Sequence, residues 1–167
     1  MNKVQLMPDK LRLRAADAED LAVIAACLQD ARIPLKEMVF LPDEKRFVAA
    51  FTRYRREKQK DWSNCEGLTE CASALVFDGI DEVKYRGVDK SAPDKEMELL
   101  TIATAPGPQH LIHIELVFAG GSEIQLRTHA INCRLDDFGA PVPCRVVPCD
   151  HFTTPVPGWT EPYAEKT

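Results

Sequence analysis

The chain has 167 residues, 45% of them hydrophobic and 28% charged, with a net charge of −5. This is about one domain's worth of chain, long enough to bury roughly 70% of the surface its unfolded form would expose, and its balance excludes wholesale disorder and fibrous repeats. The negative charge offers nucleic acid or anionic lipid no general attraction, so a role there would need a local basic patch.

The longest apolar run, Leu21 to Leu28, is too short to cross a membrane. The N-terminal stretch "MNKVQLMPDKLRLRAADAED" has no apolar segment after its lysine and meets acidic residues where a signal peptide would be cut. We therefore expect a cytoplasmic protein with no membrane association.

A short strand, "LRLRA", comes first. Asp17 can then cap a helix over 18–30, because its carboxylate accepts from orphan amides while Glu19 and Asp20 favour the positive end of the dipole. Leu21, Ile24, Ala25 and Leu28 fall on one face of that helix. "LKEMVFLPDEKRFVAAFTRY" reads as two strands around the turn Pro42–Lys45, a four-residue loop that sets Phe40 opposite Phe47 and Met38 opposite Ala49. From Arg55 to Thr69 the pattern dissolves into a polar loop, and strands resume at about Cys71.

The stretch "ELVFAGGSEIQLR", residues 115–127, poses a choice between a phosphate loop and a hairpin. A phosphate loop leads into a helix N-terminus, whereas Gly120 and Gly121 lead into a second alternating strand, so they mark a bend. A two-residue turn would pair Phe118 with Glu123 and mix apolar and charged side chains on one face. Pairing Phe118 with Ile124 instead needs an odd loop, Gly120 to Ser122, or an equivalent bulge, with Glu115 and Gln125 matched on the other face. Leu75–Arg86 aligns without gaps on Leu116–Arg127, which predicts a second hairpin with Phe77 facing Val83, by duplication or by the general likeness of hairpins. Thr128 can then cap a helix, "HAINCRLDDF", with Ile131, Leu135 and Phe138 on one side and Gly139-Ala140-Pro141 as its stop. Six prolines from Pro141 onward suggest an extended tail that Trp159 and Tyr163 pin to the body.

The six cysteines are many for a reduced compartment. Cys27 sits on the apolar helix face, where a thiol behaves as a small hydrophobe. Cys144, Cys149 and His151 are close in sequence, but C-x4-C-x-H is not a zinc spacing, and the fourth ligand would have to come from Cys65 or Cys71. We expect no metal and no cofactor. There is no G-x-S-x-G, His110 and His113 read as solvent-facing strand residues, and Asp136-Asp137 and Glu19-Asp20 read as charges at helix ends. No catalytic residue emerges.

Two segments remain as weak binding candidates. "RGVDKSAPDKE", residues 86–96, is a long inter-strand loop of both charge signs, with Arg86, Asp89, Lys90 and Asp94 as candidate contacts and a solvated connection as the bland alternative. "TRYRREKQK" followed by Trp62 places Arg53, Arg55 and Arg56 among five basic residues against one acidic, a pattern that suits phosphate tracking and equally suits a solvated charge run.

The phrases "DAEDLAVIAACLQDA", "FLPDEKRFVAAFTRY", "RGVDKSAPDKEMELLTIA" and "IELVFAGGSEIQLRTHAINCRLDDFG" resemble the DUF2948 family of bacterial proteins, best represented among alphaproteobacteria. The likeness runs from about residue 11 to residue 141. It implies a bacterial cytoplasmic protein of unassigned function and supplies no catalytic or binding residue.

The residues point to a single α+β domain over 1–141, followed by a Pro-rich extended tail over 142–167. Its antiparallel hairpins form a curled sheet or small barrel of the pleckstrin-homology-like or split-barrel sort, with a helix near each end of the core. For function, a non-enzymatic interaction module with a protein partner comes first. A small-molecule-binding protein or enzyme using the 86–96 loop comes second, and a partly apolar pocket beside Arg86 and Asp89 would favour it. A nucleic-acid or polyanion binder using residues 53–62 comes third, disfavoured by the acidic whole.

Overall fold

The computed structural model describes residues 10–58 and 67–144. Strand β1, Arg12–Ala15, leads into helix α1, Ala18–Cys27. Asp17 caps the helix as the sequence predicts, its Oδ1 accepting the Asp20 amide at 2.8 Å. Leu21, Ile24 and Ala25 are its buried face. The helix stops short of residue 30 because Leu28 closes it and the chain turns through Asp30, at φ 67°, into strand β2, Arg32–Pro34.

Strands β3, Met38–Leu41, and β4, Arg46–Tyr54, make the predicted hairpin. Phe40 stands opposite Phe47 and Met38 opposite Ala49, with Lys45 taking the left-handed φ of 52° that closes the loop. The remaining strands are β5 (Thr69–Asp78), β6 (Ile80–Arg86), β7 (Glu96–Pro106), β8 (Ile112–Phe118), β9 (Glu123–Thr128), β10 (Cys133–Asp137) and β11 (Val142–Pro143).

Every pairing is antiparallel, in the order β1-β10-β5-β4-β2-β7-β8-β9-β6, with β3 also on β4 and β11 also on β5. The sheet does not close, since the outer strands β1 and β6 do not pair. One apolar cluster nonetheless runs from Ala15 and Leu135 near one edge to Leu116 and Ile124 near the other, with Leu21 and Ile24 of α1. The sheet therefore curls round a shared core, and the class is α+β, dominated by antiparallel strands.

Three expectations are corrected. Residues 128–138 do not form a second helix: Cys133, Leu135 and Asp137 point inward on β10 while Arg134 and Asp136 are half-exposed, a period of two. The Thr128 hydroxyl lies 2.9 Å from the Gly79 carbonyl and 2.8 Å from that of Ala130, to either of which it can donate, and accepts the Ala130 amide at 3.3 Å, a local turn rather than a helix cap. Among the described residues α1 is the only α-helix.

Nor do β5 and β6 form a hairpin. Gly79, at φ 78°, bends the chain from β5, flanked by β4 and β10, into β6, which lies on β9. Phe77 consequently stands between Phe47 and Cys133, and Val83 opposite Leu126. One residue cannot reverse a strand, so the upstream copy of the glycine stretch is a bend rather than a turn.

The β8–β9 hairpin exists, but its loop is Ala119–Gly121, with the Phe118 amide donating to Ser122 O at 2.9 Å. Leu116, not Phe118, faces Ile124, while Glu115 does face Gln125, whose amide donates to it at 3.2 Å. The slip is by two residues, which preserves the faces, so Phe118 and Ile124 both remain in the core. Beyond Pro141, Val142 pairs with Glu70, so the chain there begins by joining the sheet. Trp159 and Tyr163 lie outside the described residues.

Candidate functional site

The two binding candidates fare differently. Three arginines of the basic stretch, Arg53, Arg55 and Arg56, turn inward, which removes them from an exposed polyanion patch, while Lys58 stays exposed. Arg53 is 0% exposed, Arg56 2% and Arg55 8%. Burying a guanidinium is tolerable only when carboxylates or other acceptors replace its water, and each finds one. Arg56 pairs with Asp30 at 2.7 Å, and Arg55 donates to Thr69 Oγ1 at 3.2 Å. Arg53 forks onto Asp137 at 2.9 and 2.8 Å and onto Glu57 at 3.0 and 2.8 Å. Trp62 lies outside the described residues.

Asp137 also accepts from Ser73 Oγ and, at 2.8 Å, from the Leu11 amide. One carboxylate thus ties β4, β5, β10 and the start of β1 together. Burial alone would raise its pKa, but the hydrogen bonds from Arg53, Ser73 and Leu11 and the Arg53 charge outweigh that and hold it at about 2. Alongside, Arg32 pairs with Glu70 and lies over the Tyr54 ring, 5.5 Å from its centroid. This is an internal ionic clamp, and Asp137 is a structural anion where the sequence suggested a helix-end charge.

The 86–96 loop does bound a cavity. A space of about 290 Å³ opens between it, the start of β7 and the Ala119–Ser122 turn. Leu35, Val88 and Met97 supply apolar lining, and Asp89, Glu96 and Glu98 supply carboxylates, with Lys95 the one cation. The loop is preformed. Ser122 Oγ donates to Gly87 O at 2.7 Å, Lys36 N donates to Pro93 O at 3.0 Å, and Lys36 Nζ meets Asp94 at 2.6 Å. Gly87, at φ 68°, passes so close to the second loop that a Cβ would sit 2.8 Å from Gly121 O.

Of the four residues proposed from this loop, Asp89 alone lines the cavity. Its Oδ1 accepts the Ser91 amide and hydroxyl, bonds that hold the carboxyl below its ordinary range and so ionised. Arg86 stands outside, paired with Glu123 at 2.7 Å, Lys90 lies over the Tyr85 ring, and Asp94 is taken by Lys36. Leu35 escaped the sequence reading because it follows β2, which only the β2–β7 pairing brings beside the loop, and Met97 and Glu98 because they are the strand residues just past its end.

A family model described as a protein of unknown function, DUF2948, matches residues 11–150. The chain belongs to the DUF2948 family. The match takes in both candidate segments and reaches past Pro141, so in this DUF2948 member strand β11 belongs to the shared part. No curated protein and no solved structure matches it.

Among the described residues of this DUF2948 chain, Cys71 and Cys133 are buried and Cys27 and Cys144 half-buried. Burial pushes Cys133 up to about 12 and Cys144 up to about 11, and raises Cys27 and Cys71 as well, the opposite of an activated nucleophile. No group of three or more His, Cys, Asp or Glu with metal-binding geometry occurs among the described residues. Cys65, Cys149 and His151 lie outside them.

Proposed function

We propose that this protein is a non-enzymatic interaction module of the bacterial cytoplasm, and that the cavity beside the 86–96 loop seats a lysine or arginine side chain of a protein partner. The lining carries the proposal: Leu35, Val88 and Met97 supply apolar surface and Asp89 and Glu98 supply carboxylates, beside Glu96, which pairs with Arg32 at 3.7 Å. A basic side chain has that pattern, a hydrocarbon stem ending in a cation. The net charge of −5 would steer such a partner toward this surface. The same partly apolar cavity beside Asp89, about 290 Å³, also supports the second reading, a small-molecule-binding protein using the 86–96 loop. A curled, open antiparallel sheet also suits a pleckstrin-homology-like or split-barrel kinship.

The test compares affinity capture by the wild-type protein with capture by Asp89→Asn/Glu98→Gln, a neutral pair of matched size. Partners lost with the variant and weakened by salt support the reading. Equal capture by both would overturn it.

A further inference from the structure

A second cavity, of about 250 Å³, lies on the outer face of the β6-β9-β8 sheet beneath the turn Gly107–Leu111. Glu82, Lys84, His113, Gln125 and Arg127 come from the sheet and Gln109 from the turn. Cross-strand pairing builds the floor: His113 and Glu82 both stand opposite Arg127, and Lys84 and Glu115 both stand opposite Gln125.

Two carboxylates on this face already hold a partner: Glu82 takes Arg127 NH1 at 2.8 Å, and Glu115, beside the cavity, takes the Gln125 amide at 3.2 Å. Two donors do not. Arg127 Nε is shielded from solvent and has no hydrogen-bond partner, a loss that structures rarely accept without a reason. Lys84 is exposed and enters no ion pair among the described residues. The turn above joins β7 to β8 as a type I′ hairpin turn, in which the Leu111 amide donates to Pro108 O at 3.1 Å and Gln109 and His110 take consecutive left-handed φ values of 58° and 65°. Here it brings the Gln109 side chain to the wall of the donor-rich cavity.

We propose that this cavity binds a small oxyanion, a carboxylate or a phosphate, through Arg127 Nε, Lys84 and Gln109. The site is separate from the 86–98 cavity and needs no enzymatic step. Binding gives the orphaned Nε an acceptor while leaving the Arg127–Glu82 pair in place.

The test follows the Arg127 Nε–Hε signal by ¹H–¹⁵N NMR while the protein is titrated with inorganic phosphate, with succinate and with chloride. We expect a saturable shift with phosphate or succinate, the responding probe identifying the oxyanion class, and a loss of affinity of about tenfold or more in Lys84→Met and in Gln109→Gly. Glycine suits the left-handed φ of the second position, so a weaker affinity there cannot be put down to unfolding. A shift that does not saturate, that chloride reproduces, or that survives both substitutions overturns the proposal.

Discussion

Arg53 and Asp137, 84 positions apart, meet through two parallel hydrogen bonds of 2.9 and 2.8 Å, with side chains 0% and 2% exposed. The pair reaches across β5, whose Ser73 donates to the same carboxylate. Two buried charges of this kind cost several kcal/mol to desolvate and return that only while both are present. Removing one partner strands the other. Arg53→Met is therefore expected to destabilise by about 3–5 kcal/mol in urea unfolding. Arg53→Met/Asp137→Leu should lose less than the sum of its single changes, and strict additivity would show that the two charges are not coupled.

The same carboxylate sets an acid limit. A pKa held at about 2, below the ordinary value of roughly 3.9, means that the unfolded chain takes up a proton before the folded one. The stabilisation from Asp137 is thus complete above about pH 4 and lost as pH falls toward about 2, on the order of 2 kcal/mol in all. Glu57, likewise held low by Arg53 against the opposing effect of its burial, acts in the same direction. Urea midpoints measured from pH 5 to pH 2 should fall more steeply for the wild type than for Asp137→Asn, and parallel curves would contradict the assignment.

Thiol chemistry gives a third check. With Cys71 and Cys133 buried and their pKa values raised, native-state iodoacetamide should leave both unmodified, and both should label fully in denaturant. Rapid native labelling of Cys133, mapped by mass spectrometry, would mean that β10 is not packed as described.

Much of this was legible where the signal is local. The Asp17 cap and the Pro42–Lys45 hairpin needed only neighbouring residues. The clamp was partly legible too, because parity continues through it. Phe47, Ala49 and Phe51 point inward on β4, so Arg53 must, and Cys133 and Leu135 give Asp137 the same assignment on β10. What hid them was chemistry: a charge at an inward position reads as a break in the pattern until its partner is known. Ile131, Leu135 and Phe138 also sit at helical spacing, so the strand pattern there had a rival. The 75–86 stretch misled for a related reason. Gly79 has the positive φ of a turn glycine, but whether a strand bends or reverses depends on β4, β9 and β10, which are remote in sequence.

The core offers a test of the corrected register. Phe118 and Phe77 are both within 1% of full burial, so Phe118→Ala and Phe77→Ala should each cost about 3–5 kcal/mol through lost contact and the cavity left behind. Gln125→Lys, on the half-exposed outer face, should change stability by no more than about 0.5 kcal/mol. Thermal or urea unfolding reads all three, and a large loss in Gln125→Lys would place that side chain in the core.

The last prediction separates glycines that serve the turn from the one that serves the proposed partner site. Gly120 and Gly121 have positive φ but open space where a Cβ would go, so alanine there carries only the conformational penalty, about 1 kcal/mol. Gly87 carries that penalty and a collision as well, since its Cβ would meet the backbone oxygen of Gly121 at 2.8 Å. Backbone cannot step aside as a flexible side chain can. The strain should push the 86–96 loop away from the Ala119–Ser122 turn, break the Ser122–Gly87 hydrogen bond and reshape the cavity between them. Gly87→Ala is thus expected to cost about 2–3 kcal/mol, more than Gly120→Ala, and to weaken partner capture while the protein stays folded. Gly120→Ala should leave capture intact. Equal stability losses in the two variants, or partner binding untouched by Gly87→Ala, would detach the loop–turn contact from the function proposed for it.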